Sequence, residues 1–516
     1  MTQTASLKAR PKRATLADAI AGVSIALILI PQSLAYARVA GLPAYIGLYA
    51  AALPPIAAGF FASSPYLQTG PVAVTAVLTA GALAGLAAPG SPEYVALASL
   101  LALTVGVLRI GIGAFGLGKV VYMMSEPVLR GFTVGAAILI TASQIPGLLG
   151  TSAGGNPIPG AWSALMSWRD WDPETIGIAA AAAATVAISR RIHPLAPWAL
   201  IVTIGGLLWS RATGYGGSIV GAVPEGLPPL SLRLPWGAGA LLTLPGVVIA
   251  LVGFAEAASI SRTFAARDRQ HWDPDREFVS QGVANVASAL SGGFPVGGSF
   301  SRSSMARLLG ATTRWSGAVA GVTVLFFLPF ASVLGPLPVA VLSVMVITAV
   351  IGLIRIRSIL DMWALSKPQF LVAGATLVLT VLLSPRIDNA VLLGILLAVA
   401  VHLWREFDVK LATWKEEDVL HVRPEGVLWF GSAEALKQNV QELLADETIA
   451  RLVLHMERAG RVDLTASLVL EHLVDQARAA GIATEVQSAD PLSARALHRV
   501  LAAQPPRGRE YKPRSR

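Results

Sequence analysis

The chain has 516 residues, of which 54% are hydrophobic and only 14% charged, with a formal net charge of +9. Soluble proteins carry about 25% charged residues, so this composition, with a mean hydropathy of +0.62, excludes an ordinary soluble domain and indicates a polytopic membrane protein. There is no cysteine, which excludes disulfides, thiolate metal sites and a thiol nucleophile.

The excess of Lys and Arg falls mostly between apolar segments. That is the pattern of positive-inside loops, not of a nucleic-acid patch, and no nucleic-acid partner is expected. Lys8, Arg10, Lys12 and Arg13 open the chain without an acid. The apolar run from about Ile20 leads to Pro31-Gln32-Ser33, not to a small-residue cleavage site. It reads as a first membrane helix after a cytoplasmic tail (1–14), and not as a signal peptide.

Fourteen membrane segments are predicted, near 17–38, 43–61, 70–87, 93–116, 127–149, 173–190, 195–211, 241–264, 277–293, 299–311, 314–334, 337–354, 368–385 and 387–405. Several are shorter than the ~20 residues of a full span. The third and tenth are the short ones that follow Gly/Pro breaks. Gln68-Thr69-Gly70-Pro71-Val72-Ala73-Val74-Thr75 opens the third, with Pro suited to a first helical position. The run from Gly292 to Ser304, GGFPVGGSFSRSS, opens the tenth, where Ser299 or Ser301 can cap the new helix. Broken helices at membrane depth occur where they are buried in protein or line a cavity. Helix N-termini there suit an anion, and Arg302 adds a full charge in the first turn. Two such openings in corresponding places mark a transporter site.

Counted from an inside N-terminus, Arg190-Arg191, the loop from Arg262 to Arg276, Arg307/Arg314 and Arg355/Arg357/Lys367 share the cytoplasmic side. The Gly/Pro-rich loop from about Arg211 to Trp236 lies outside, and the C-terminus returns to the cytoplasm. Fourteen splits into seven plus seven, an odd unit, so the halves are inverted. The transmembrane transport domain is assigned to 15–406.

After Arg405 the sequence becomes mixed and charged. Strands are predicted at Val419–Val422, Gly426–Phe430, Arg451–Met456 and Ile482–Gln487, with helices at Ser432–Leu444 and Ala466–Ala480. This alternation implies a small α/β domain over 407–503. Residues 504–516 form a basic, Pro-containing tail that reads as disordered.

Several motifs carry a family resemblance. IALILIPQSLAYARVAGLPAYIGLYA in the first segment, GPVAVTAV in the third, GFAEAASISR around Glu256, Asp275-Arg276-Glu277-Phe278, Gly282 to Asn285, and FPVGGSFSRSS follow one another in order. The chain from Thr15 to Leu501 resembles the SulP family, the sulfate-permease-type anion transporters with a C-terminal STAS domain. The resemblance implies a core and a gate domain built from two inverted seven-segment repeats, an anion held between segments three and ten, and a homodimer in the membrane lipid. Family substrates include sulfate, chloride, bicarbonate, oxalate and other dicarboxylates.

Ser301 and Arg302 match the family's anion-site positions, with Ser299 and the backbone of Phe300 beside them. The plainer alternative is a helix cap and a snorkelling Arg. Gln32, beside Pro31, offers an amide to an anion, or else a helix–helix hydrogen bond at the kink. Tyr36 and Tyr66 are weaker candidates. Val72, Ala73 and Val74 would present backbone at the other opening, or simply close packing of small residues. Glu256, an acid in an apolar segment, could carry a proton, pair with an Arg or brace the fold. Arg38 departs from many bacterial relatives, which have an acid directly after PQ-x-x-AYA. An arginine does not release a proton, so proton coupling through that position is lost. Arg38 could instead attract the anion, pair with Glu256 or sit at the interface. Asn285 reads as a brace.

In the second domain, Val462-Asp463-Leu464-Thr465-Ala466 resembles the phosphorylated loop of anti-sigma-antagonist proteins, but Asp463 or Thr465 reads more simply as a helix cap. A cytoplasmic regulator acting through this domain follows from the resemblance. No cofactor, metal or catalytic residue is expected, since no metal-spaced set stands in the membrane segments and His193 and His402 lie near segment ends. The function expected is secondary active transport of small anions across a bacterial inner membrane, with proton or sodium cotransport left open. The alternatives are a nucleobase-type proton symporter of the same architecture, an anion channel, and a membrane signalling protein acting through its STAS domain.

Overall fold

The computed structural model describes residues 14–151, 155–192, 198–231, 233–407 and 410–487. The two predicted tails, His193 and residues 488–503 of the second domain lie outside the described residues, apart from Ala14. The chain divides into two compact units, 1–398 and 399–516.

The first half of the membrane unit runs α1 (Leu16–Val39), α2 (Ile46–Phe61), α3 (Ala73–Leu83), α4 (Pro92–Ala114), α5 (Glu126–Leu149), α6 (Pro157–Met166), α7 (Pro173–Ile192) and α8 (Trp198–Thr213). The second half runs α9 (Gly239–Arg267), α10 (Pro274–Leu290), α11 (Phe300–Leu308), α12 (Trp315–Phe327), α13 (Val339–Val350), α14 (Ile356–Leu365), α15 (Lys367–Leu382) and α16 (Ile387–Phe407), the last running on into the second unit. Among the described residues, 8 helical stretches are long and apolar enough to cross a membrane. Helix starts follow local chemistry: Thr15 and Asp18 form a capping box at α1, Ser91 caps α4 ahead of Pro92, and Asp273 caps α10 ahead of Pro274.

Every predicted segment has a helix. The helices not foreseen are α6 and α14, each of 10 residues. Helix α14 buries Ile359 and Met362 and exposes Leu360, Trp363 and Leu365. It is too short to span and carries basic residues at its start, so its stretch reads as a loop in a search for spans.

Packing repeats between the halves. Helix α4 packs on α10 as α12 packs on α2. Likewise α1 packs on α12 as α9 packs on α4, and α5 on α15 as α13 on α7. Exchanging each helix for the one eight places later maps these contacts onto themselves. Seven spans plus one short helix make the repeat, and an odd number of spans inverts it.

The breaks before α3 and α11 form a two-stranded sheet. Strands β1 (Gln68–Gly70) and β2 (Gly297–Ser299) pair antiparallel, with Gln68 opposite Ser299 and Gly70 opposite Gly297. This satisfies backbone groups that could not be left open to lipid. Gly70 has φ +152°, which residues with a side chain rarely adopt. A Cβ at Gly298 would lie 2.7 Å from the Leu67 side chain and 3.0 Å from the Ala257 Cβ, so only glycine lets β2 approach α9.

The second unit has strands β3 (Lys410–Glu416), β4 (Val419–Leu428), β5 (Arg451–His455), β6 (Ala459–Val462) and β7 (Ala483–Gln487), with helices α17 (Phe430–Leu444) and α18 (Leu464–Ala479). The sheet order is β3-β4-β5-β7, with β6 also on β4. Only β3–β4 is antiparallel; β4–β5, β5–β7 and β4–β6 are parallel. The two predicted strands around Val419 and Gly426 are one, because Pro424 falls where β4 pairs only with the edge strand β3. Asp463, not Thr465, caps α18 by accepting from the Ala466 N–H. Its other oxygen accepts from the Phe430 N–H, tying α18 to α17.

Candidate functional site

Because β1 and β2 run antiparallel and each leads directly into a helix, α3 and α11 begin on either side of one small sheet. These helices have 11 and 9 residues. At about 1.5 Å per residue neither spans much more than half of a ~30 Å hydrocarbon core. Their N-termini therefore open inside the bundle.

Arg302 links the two openings. Its side chain is buried, and one terminal nitrogen donates to the Pro71 carbonyl at 2.9 Å, directly before α3. The other donates to Gln32 Oε1 on α1 at 3.5 Å. Its Nε is buried with no partner among the described residues. A buried cation with an unused N–H is costly unless it meets an anion. Burial also distinguishes Arg302 from a snorkelling side chain. A Cβ at Gly70 would stand 3.4 Å from this guanidinium, so the glycine keeps the approach open.

Ser299 caps α11, its Oγ accepting from the Arg302 N–H at 3.4 Å and lying 3.4 Å from Ser301 Oγ. Ser301 is solvent-exposed. The Phe300 ring turns away and stacks on Phe264, leaving its backbone as the part at the opening. Val72, the N-cap residue of α3, is buried with Ala73 and Val74. Its carbonyl accepts the Thr75 hydroxyl and the Ala76 N–H. Gln32 and Tyr36 lie one turn apart on α1 and face Arg302 together; Tyr36 and Glu256 are both within electrostatic reach of it.

Two other acids in this unit are held by hydrogen bonds, although Glu277 Oε1 is buried without a partner among the described residues. Glu277 accepts from the Ser63 and Ser64 N–H groups and from Trp272 Nε1. Asp18 accepts from Thr15, Thr312 and Thr313. Glu256 accepts no hydrogen bond among the described residues, and its electrostatic neighbours are Arg302 and Tyr36.

One expected pairing is absent. Arg38 does not meet Glu256. Residues two apart on a helix point to opposite sides, so with Tyr36 toward Arg302, Arg38 faces away and lines a different cavity. Tyr66 belongs to a separate cluster with Phe264, Arg307 and Asp268.

Behind the sheet lies bracing that sequence reasoning foresaw only at Asn285. Arg109 on α4 is fully buried and donates to the Ile249, Ala250 and Val296 carbonyls at 3.0, 3.1 and 3.0 Å. Asn285 donates to the Val296 carbonyl and accepts its N–H. Gln281 donates to Thr69 Oγ1, and the Gln68 N–H to Ser303 Oγ. A lone Arg in an apolar segment was the available signal for Arg109. Nothing in the sequence pairs the others, which lie more than 200 residues apart for Gln281–Thr69 and Gln68–Ser303.

Comparison with known proteins agrees with this architecture. Residues 16–376 match the sulfate permease family, and residues 410–503 match the STAS domain. The chain is 28% identical over 506 residues to chloroplastic sulfate transporter 4.1 of Arabidopsis thaliana, covering 89% of this chain and 73% of that one. It is 32% identical over 371 residues to a probable sulfate transporter of Mycobacterium tuberculosis, covering 70% and 65%. Among solved structures, murine Slc26a9, an anion transporter captured facing inward, superposes with a TM-score of 0.87 at 19% identity, covering 95% of this chain and 88% of that one. The transmembrane domain of the cyanobacterial bicarbonate transporter BicA superposes with a TM-score of 0.64 at 24% identity, covering 74% and 97%. At these identities the structural likeness is one of fold: a polytopic helical membrane unit followed by a STAS domain.

Proposed function

The chain belongs to the sulfate permease family, and from that premise we propose that it is a secondary active transporter of a small anion of the sulfate, bicarbonate or dicarboxylate class, working by alternating access. The observation that carries the reading is Arg302. It is buried between two helix openings, has no acid within ion-pair distance among the described residues, and keeps its Nε–H unused. In this reading the anion takes that N–H, the Ser299 and Ser301 hydroxyls, the Gln32 amide and the backbone at Phe300 and at Val72, Ala73 and Val74. Helix dipoles and one guanidinium hold it; a neutral amide and hydroxyls let it leave.

The group α1–α4 with α9–α12 would act as the core, and α5–α8 with α13–α16 as the gate. The domain limits are taken as 15–406 for transport and 407–503 for STAS. The termini face the cytoplasm of a bacterial inner membrane, and the working form is a homodimer. The STAS domain receives a cytoplasmic regulator. Glu256, unbraced and next to Arg302, is the coupling candidate for a proton; Arg38 is not. A nucleobase site would want several carboxylates facing the ligand, and Asp18 and Glu277 are occupied with backbone N–H groups.

The test is uptake of sulfate, bicarbonate and a dicarboxylate into proteoliposomes, with and without an inward proton gradient. One anion should be taken up faster with the gradient. In Glu256→Gln that stimulation should vanish while exchange without a gradient persists. Uptake indifferent to protons in the unaltered protein would remove the coupling assignment and leave exchange or uniport.

A further inference from the structure

Arg38 is an exposed cation with no ion pair among the described residues, and it lines a cavity of about 380 Å³. The cavity lies at the end of α1 remote from Asp18, between α1, α5, α13 and the loop after α8. Its walls carry Ser143, Gln144, Thr151, Tyr215 and Ser343 besides Arg38, and no acid. Thr151 Oγ1 is buried there with no partner among the described residues.

The walls are firm. Ser143 donates to the Ile140 carbonyl and accepts from Gln144. The loop carrying Tyr215 and Ser218 is pinned to the start of α13, with the Val339 N–H donating to the Ser218 carbonyl and the Val220 N–H to the Leu337 carbonyl. Val339 and Ala340, in the first turn of α13, line the cavity and present the positive end of that helix. Two acids, Asp172 and Glu174, lie within electrostatic reach of Tyr215 on the wall. Asp172 accepts from the Glu174 and Thr175 N–H groups and the Thr175 hydroxyl, which ties it to the start of α7.

We propose that this cavity is a second anion site, separate from the one at Arg302, that takes a small inorganic anion such as sulfate or chloride between Arg38 and the hydroxyl-bearing walls of α5 and α13. The cavity is large enough for such an ion with part of its water. Arg38 supplies the charge, and Thr151 a hydroxyl with its bonding unused. Because Arg38 and Tyr36 point to opposite sides of α1, the two sites lie on opposite faces of that helix. An ion held here touches both packing groups, α1 from one and α5 and α13 from the other. It binds well only while they are together, so it favours this arrangement over one in which they separate.

The absence of cysteine makes the test direct. Ser143→Cys places one thiol on the exposed part of the wall. In the intact purified protein it is reacted with a sulfonate-bearing methanethiosulfonate and with its trimethylammonium analogue. The sulfonate reagent should react at least about tenfold faster relative to each reagent's rate with a free thiol. Sulfate or chloride should slow it, while Arg302→Gln should leave the preference in place. Arg38→Gln should abolish the preference and Arg38→Lys retain it. Protection by sulfate or chloride is read without altering Arg38, so the outcome does not hang on that variant folding. Equal rates for the two reagents, no reaction with either, no protection by either ion, or a preference that survives Arg38→Gln would overturn the proposal.

Discussion

Among the described residues of the membrane unit two arginines are buried, and their surroundings differ in the way that matters. Arg109 gives its Nε and both terminal nitrogens to three carbonyls of α9 and the segment before β2. Arg302 gives its terminal nitrogens to Pro71 and Gln32 and leaves Nε free beside two helix openings. Both are ionisable groups at membrane depth, where each invites a functional reading. Of the two, only Arg302 has a guanidinium nitrogen with no partner among the described residues. A nitrogen left without a partner, not burial or charge, separates a site from a brace.

Breaking the brace should have the largest effect. Arg109→Gln removes most of three hydrogen bonds from a charged donor, each worth about 1.5–3 kcal/mol. Folded, monodisperse protein extracted in detergent should fall sharply, and what remains should unfold at lower temperature. Arg302→Gln should instead fold, and lose anion uptake by about 100-fold, or about 3 kcal/mol, the scale of removing one buried charged partner. If both variants behaved alike in thermal unfolding, the distinction between brace and site would fail.

Gln32→Leu sharpens the comparison at smaller scale. Its amide touches Arg302 but begins no helix and carries no charge. Affinity in the uptake assay should weaken about tenfold, or about 1.4 kcal/mol, with little change in stability. A loss of fold instead would mean the amide serves the kink at Pro31.

The smallest effect lies in the second unit. His421 Nδ1 and His455 Nε2 stand 2.9 Å apart, both rings stacked with Trp414. Burial holds the His455 imidazole below its ordinary value of 6.5; His421 and Arg423 act in the same direction, while Glu457 and Glu485 oppose them. The folded state then resists a proton that the unfolded chain accepts. Stability from this group is present above 6.5 and is lost as pH falls from there through the folded value. In the intact protein, the amides of β4 and β5 should exchange faster below that pH, after correction for intrinsic rates. His455→Gln should flatten the dependence.

Which parts were legible follows from the range of the interactions. The openings at Gly70-Pro71 and at Gly292 to Gly298 are local breaks, so they show in the sequence, and the Ser299 cap follows from them. Pairing β1 with β2 joins three-residue strands more than 200 residues apart, as do the bonds from Gln281 and Ser303. No periodicity signals contacts of that kind. The helices α6 and α14 were hidden because 10 residues are too few to resemble a span. The edge strand β3 was hidden because Lys410, Lys415 and Glu416 break its apolar pattern. Arg38 was legible as a departure, but its direction was not: pairing with Glu256 requires a face of α1 that Tyr36 and Gln32 already occupy.

The central claim is that the transported anion lies between the starts of α3 and α11 on Arg302. It is tested most directly by determining the structure with that anion, once the uptake assay has identified it, at saturating concentration. The account predicts density within hydrogen-bond distance of Arg302 Nε, in reach of Ser301 and the backbone at Val72, and its loss in Arg302→Gln. Density for the anion elsewhere in the membrane unit, with this opening empty, would contradict it.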